Sequence, residues 1–288
     1  MANKLDNSRV PKNSVATCSS DGTIRFWSLV DLAKSVDSQV LIVNPEEYAA
    51  SKKAKDSTSN LELRCLKMSP GGGLVASGDR EGNIRIHSLA DFKQVFSTEA
   101  HDSDVLSIDF SARFDEATKS SVPWMMASAG RDRFVHVYDA RAGFSHTQTF
   151  DDHSAAVIST NFSRDNSFLM TSSADRTIRF REYKKDTNTF ENIGSAVSRN
   201  AIYDVAVSQH SESLVAVGQE KKLNVYDFTG RQLPRYHPSL SFFLLLFLAS
   251  KSKKQTIVSN IATGLKWSRA ETGCSQRCVR IPGRATLL

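Results

Sequence analysis

The chain has 288 residues, 40% hydrophobic and 24% charged. That length can bury a sizeable core, and four scattered cysteines (Cys18, Cys65, Cys274, Cys278) exclude a disulfide framework and fit a reducing compartment. The formal charge of +6 is uneven: residues 229–288 carry ten Lys or Arg and one acid, leaving 1–228 at −3, which argues against a general nucleic-acid or polyanion binder.

A turn-and-strand pattern recurs five times along the chain. It reads Ser-Asp-Gly-Thr-Ile-Arg-Phe-Trp at 20–27, Arg-Glu-Gly-Asn-Ile-Arg-Ile-His at 80–87 and Arg-Asp-Arg-Phe-Val-His-Val-Tyr at 131–138. Two further copies read Ala-Asp-Arg-Thr-Ile-Arg-Phe-Arg at 174–181 and Gln-Glu-Lys-Lys-Leu-Asn-Val-Tyr at 219–226. An acid opens each turn, and apolar residues then alternate with polar ones, as in a strand. Counted from that acid the copies begin at 21, 81, 132, 175 and 220, with spacings of 60, 51, 43 and 45. The two shortest match the period of a propeller blade of four antiparallel strands.

In chain order, the first unit has only residues 13–18 ahead of its turn and is expected to lack its innermost strand; it offers Thr17, Asp21 and Trp27. Residues 45–60, polar and bearing Lys52, Lys53 and Lys55, read as a loop that lengthens the link to the second unit. That unit has Gly71-Gly72-Gly73 as a hairpin turn, then Ser77, Glu81 and His87. The third, about residues 100–150, is the most complete. Its His101, Ser128, Asp132 and Tyr138 are placed to meet in one buried hydrogen-bond chain, the carboxylate also accepting amides of its own turn. The fourth offers His153, Thr171 and Asp175, but Arg181 stands at the aromatic position, so its chain is read as incomplete. The fifth keeps Glu220 and Tyr226.

Periodicity, charge balance and composition all change near residue 234. Residues 1–233 are therefore read as an all-β, incomplete propeller of about five blades, inferred to be part of a larger one. Residues 234–288 are read as a basic, non-conforming tail, disordered or a mis-assigned gene end. The apolar run at 238–249 is too short for a transmembrane helix, and no membrane attachment is expected.

No chemistry of catalysis is legible. His101 beside Asp102, and His153 beside Asp152, lack a placed nucleophile, and no phosphate-cradling Gly-rich loop occurs. Cys274 and Cys278 have no second ligand pair nearby, whereas a structural zinc needs four ligands, so neither metal nor cofactor is expected. The candidate for binding is one rim of the propeller, where the turns carry Arg80, Arg131, Arg133, Arg176, Lys221 and Lys222. Set among Asp102, Asp104, Asp151 and Asp152, these bases suit an acidic or phosphorylated peptide. An alternative is Tyr138-Asp139-Ala140-Arg141, similar to the Trp-Asp-x-Arg box by which substrate receptors dock the adaptor of cullin-4 ubiquitin ligases.

Several stretches go beyond the generic repeat. Residues 17–27, Arg64-Cys65-Leu66-Lys67-Met68-Ser69-Pro70, residues 76–87, Ala100-His101-Asp102-Ser103-Asp104-Val105-Leu106, residues 128–137 and Asp151-Asp152-His153-Ser154 resemble the mitogen-activated protein kinase-binding protein 1 family of WD-repeat scaffolds. The resemblance runs in order over about 14–233. It implies a non-catalytic scaffold for c-Jun N-terminal kinase signalling, with protein partners such as kinases or other scaffold subunits, in the cytoplasm and at spindle poles or centrosomes.

Overall fold

Alternation of apolar and polar residues dictates strands, and strands with apolar residues on both faces must be covered on both sides. The computed structural model describes residues 10, 14–28, 39–45, 62–111, 124–208, 213–219, 223–233 and 277–280, which form five antiparallel sheets. The first holds β1 (Ser14–Cys18), β2 (Thr23–Ser28) and β3 (Gln39–Ile42). The second is β4 (Leu63–Met68), β5 (Leu74–Asp79), β6 (Asn83–Ser88) and β7 (Gln94–Glu99). The third is β8 (Val105–Phe110), β9 (Met125–Gly130), β10 (Val135–Asp139) and β11 (Ser145–Phe150). The fourth is β12 (Val157–Phe162), β13 (Phe168–Ser173), β14 (Thr177–Lys184) and β15 (Thr189–Val197). The fifth has β16 (Ile202–Val207), β17 (Ser213–Gly218) and β18 (Asn224–Asp227). A last strand, β19 (Arg277–Arg280), pairs with β1, Val15 opposite Arg280.

Sheets two to five are meanders, and the core lies between sheets. Ala16, Ile24 and Phe26 of the first pack on Leu66, Met68 and Val75 of the second. The opposite face of the second sends Ala76, Ile84 and Ile86 against Ile108, Phe110 and Met126. Met125, Ala127 and Val137 then meet Phe162 and Leu169 of the fourth sheet, whose Met170, Ile178 and Phe180 cover Leu214, Ala216 and Tyr226 of the fifth. Successive residues such as Met125 and Met126 thus serve opposite interfaces, the period of two expressed in packing. The innermost strands β4, β8, β12 and β16 pack in sequence around an arc. Among the described residues no strand of the fifth sheet packs along a strand of the first. The fold is an incomplete β-propeller.

One expectation about the first blade is corrected. Its innermost position is filled, by β19, so four strands stand in the order β19-β1-β2-β3 where three were expected. Residues 46–60 and 234–276, including the apolar run, lie outside the described residues, as do Glu220, Lys221 and Lys222.

The blades are also stitched by side chains on the inner strands. Asp109 accepts the Phe162 amide at 2.8 Å and holds the Lys67 ammonium at 2.7 Å, so three consecutive blades meet at one carboxylate. The Ser107 hydroxyl accepts the Thr160 amide at 3.2 Å, and Asn161 donates to the Val205 carbonyl at 3.2 Å. The Asp109 charge raises the Lys67 pKa above its ordinary value despite burial.

Candidate interaction surface

A tight reversal leaves backbone amides without ladder partners, and a short acid within the turn can accept them. Asp132 accepts the amides of Phe134 (3.1 Å) and Asp102 (3.1 Å) and receives Nδ1 of His101 at 2.9 Å. Nε2 of His101 meets the Ser128 hydroxyl at 2.8 Å, and Ser128 in turn bonds Tyr138. The sequence-derived quartet is therefore one connected chain. Burial opposes the Asp132 charge, yet the His101 bond and the two amides outweigh it and hold the carboxyl below its ordinary value. Burial pushes the Tyr138 hydroxyl up to about 12. Both ring nitrogens of His101 are engaged, which makes this imidazole a cross-link.

The fourth blade repeats the arrangement and corrects one reading. His153 bonds Asp175 at 3.0 Å through Nδ1 and Thr171 at 2.8 Å through Nε2. Arg181 does not break the chain but extends it, donating to the Thr171 hydroxyl (2.7 Å) and to Asp152 (2.6 Å) while its guanidinium lies 4.2 Å over the Phe150 ring. Its side chain is 0% exposed. Desolvation lowers its pKa to about 10 against the opposing pull of Asp152, so the cation persists at neutral pH. Asp175 lies at about 2: burial opposes its charge, and bonds from Thr177, His153 and Ser154 overcome that. Burial lowers the His153 pKa more than Asp175 raises it.

In the first blade Trp27 donates Nε1–H to the Thr17 hydroxyl at 2.9 Å, and Asp21 accepts the Thr23 amide at 3.0 Å. The second blade departs from the sequence reading. Its turn is held by buried Asp79, which accepts the amides of Glu81 (3.0 Å) and Asn83 (2.8 Å) and pairs with Arg85 at 2.5 Å, whereas Glu81 is exposed. The Ser77 hydroxyl donates to the Arg85 carbonyl at 3.4 Å, and His87 is buried with Nδ1 unpartnered, burial lowering its pKa to about 4.

The proposed rim separates into two classes. Arg131 is tied to Asp104 at 3.1 Å and Arg80 to Glu62 at 3.5 Å. Asp104 is itself buried, and Asp152 is taken by Arg179 and Arg181, so neither acid is a free neighbour on the rim. Arg133 and Arg176 are exposed and have no ion pair among the described residues. Both adopt left-handed backbone, φ 78° and 72°, at the turn position that Gly22 (φ 76°) and Gly82 (φ 93°) occupy in the first two blades. Gly82 is obligatory there, because a Cβ would stand 1.7 Å from the His101 carbonyl oxygen.

The Tyr138-Asp139-Ala140-Arg141 box lies at the end of β10. Tyr138 is buried, and Asp139 accepts the Arg141 amide at 2.8 Å to cap a 3-10 turn at Ala140–Ala142. The Arg141 side chain is 61% exposed and 3.6 Å from Asp139. Among the described residues no helix is long and apolar enough to cross a membrane.

Comparison with known proteins agrees with this geometry. The family model "WD domain, G-beta repeat" matches residues 6–28, 54–88, 92–139 and 144–181, four segments that track the first four blades. WD repeat-containing protein 62 of Sus scrofa is 30% identical over 255 residues, covering 80% of this chain. Mitogen-activated protein kinase-binding protein 1 is 31% identical over 249 residues in both Mus musculus and Homo sapiens, covering 77% of this chain. The chain spans about 16% of the length of these curated relatives.

Proposed function

The chain belongs to the WD-repeat family, and from that premise we propose that it is a non-catalytic scaffold whose turn rim grips an acidic or phosphorylated segment of a protein partner. The observation that carries this reading is the pair Arg133 and Arg176, exposed and without ion pairs among the described residues, on successive blades of a rigid frame. An L-residue in left-handed backbone is disfavoured by about 1–2 kcal/mol, so arginine in glycine's place needs a reason outside the fold. Guanidinium forks on a fixed backbone suit phosphate or carboxylate. The name of one relative, mitogen-activated protein kinase-binding protein 1, supports a place in mitogen-activated protein kinase signalling; the c-Jun N-terminal type, the cytoplasm and the spindle pole are part of the proposal. The test is capture of a mitogen-activated protein kinase module by the immobilised chain. Arg133→Glu with Arg176→Glu abolishes capture if the rim binds; retained capture removes the rim from the proposal.

Exposure of Arg141 on a capped turn favours one second reading, a substrate receptor that docks the adaptor of a cullin-4 ligase. Arg141→Ala then releases the adaptor in a pull-down and leaves kinase capture intact. The converse pattern discards this reading.

A further inference from the structure

The polar positions of the third strand do the same work in three blades and different work in one. Aligned on the turn, Arg25, Arg85, His136 and Arg179 are equivalent. The arginines pair with Asp21 (3.5 Å), Asp79 (2.5 Å) and Asp152 (3.4 Å). Across the hairpin, Arg85 lies opposite Ser97, His136 opposite Thr149 and Arg179 opposite Ser195. The next facing pair is His87 with Gln94, Tyr138 with His146 and Arg181 with Asn192. The third blade therefore replaces both an arginine and an amide by imidazoles.

A bulge then brings the two rings together. Residues 146 and 149, three apart on a regular strand, would face opposite sides. The register shift between Val137 and Tyr138 leaves Thr147 unpaired and returns His146 to the face of Thr149 and His136. Nδ1 of His136 and Nε2 of His146 lie 2.9 and 2.8 Å from the same Thr149 hydroxyl, and the rings are 5.6 Å apart, edge to face. His136 also bonds the Ala100 backbone. With Nδ1 on the Thr149 hydroxyl that His146 shares, these contacts hold the His136 ring in place beside His146.

We propose that His136 and His146 form a two-imidazole site for a late first-row divalent metal ion, open to water on its outer side. Neutral imidazoles converging on one point suit Zn2+, Ni2+ or Cu2+. Thr149 turns aside or remains a weak ligand. The carboxylate of Asp132, whose oxygens lie within 4.8 Å of ligand nitrogens of His101 and His136, supplies negative charge behind the site without leaving its structural bonds. The expectation of no metal rests on Cys274 and Cys278 alone; His136 and His146 stand ten positions apart in the sequence, and only the bulge puts them on one face.

Calorimetric titration of the full chain with Ni2+ at pH 7.5 tests this. One equivalent binds to the native chain. His136→Arg with His146→Gln, the residues blade two uses at these places, eliminates that equivalent, and His146→Gln alone weakens it at least about tenfold, as loss of a ligand should exceed loss of an outer-shell partner. His210→Gln with His237→Gln binds as the native chain does. Equal binding after the His136 and His146 changes, or no equivalent in the native chain, overturns the proposal. Since His146 is exposed, its single variant folds and keeps the test decisive if the double variant does not.

Discussion

Replacing Arg133 and Arg176 together by glycine separates binding from folding more sharply than charge reversal. Both positions are exposed and left-handed, and equivalent turns already use Gly22 and Gly82. Relief of left-handed strain is worth about 1–2 kcal/mol per residue. The greater freedom of glycine in the unfolded chain takes back about 0.5–1 kcal/mol. The net expectation is between no change and about 1.5 kcal/mol of stabilisation at each site. No ion pair is lost, because none is present at either guanidinium among the described residues. Urea unfolding should show a midpoint equal to or above that of the native chain, with unchanged slope. Capture of a phosphorylated or acidic partner peptide, followed by fluorescence anisotropy at low and moderate salt, should fall to background. A fall in stability beyond about 1 kcal/mol would mean that the arginines serve the fold, and the argument from strain to function would fail.

Other perturbations probe the frame. Arg181→Ala removes a fully buried cation from Asp152, Thr171 and the Phe150 ring, and should destabilise by about 3–5 kcal/mol in urea unfolding. Arg181→Trp should recover part of that loss, because Trp27 already donates to Thr17 from the equivalent place in blade one. Acid should weaken the fold in two windows. His87 and His136 at about 4 and His153 also lowered are bases depressed by folding, so stability present above pH 6.5 is lost as pH falls toward 4. Asp175, depressed to about 2, adds stability above its ordinary 3.8 that is lost between there and 2. Thermal melts from pH 7.5 to 4.5 check the first window; a melting temperature that rises on acidification refutes it.

Strand positions were legible because the blades alternate apolar and polar residues in register with burial. Ile24, Ile84, Val135 and Ile178, equivalent in the repeats, are all 0% exposed. The hydrogen-bond chains of the third and fourth blades were legible for a related reason: imidazole, hydroxyl and carboxylate stand at fixed distances from the turn. Asp79 was missed because the turn offers two acids, and adjacency to glycine favoured Glu81, whereas the buried strand end decides which carboxylate meets the amides. Arg181 was misjudged because a cation at an aromatic position reads as a break, and its solution, Asp152 together with the Phe150 face, comes from other strands. Four residues, Arg277–Arg280, carry no pattern long enough to announce a strand; their place is set by the open edge of β1. Bulges are silent in sequence altogether, yet they recur beside His87, Tyr138 and Arg181 and decide which side chains share a face.

The division of labour within a blade explains why both proposals fall on the same few positions. Apolar residues of the second and third strands lie in the layers between sheets, where a change of one methylene is felt by two blades. The side chains of Arg133, Arg176 and His136 are not among the apolar residues of those layers, a freedom that Gly82 and the buried Arg181 do not share. Glycine gives way to arginine at 133 and 176, and arginine to histidine at 136, while the backbone stays a four-stranded meander. The frame holds such residues within fixed geometry, so an exchange there alters what the surface binds without altering what it is built on. A partner-gripping rim and a metal-binding hairpin are thus two uses of one tolerance. They are also independent: the rim arginines belong to the turns, the imidazoles to the hairpin beyond, and loss of one function should leave the other measurable in the same folded chain.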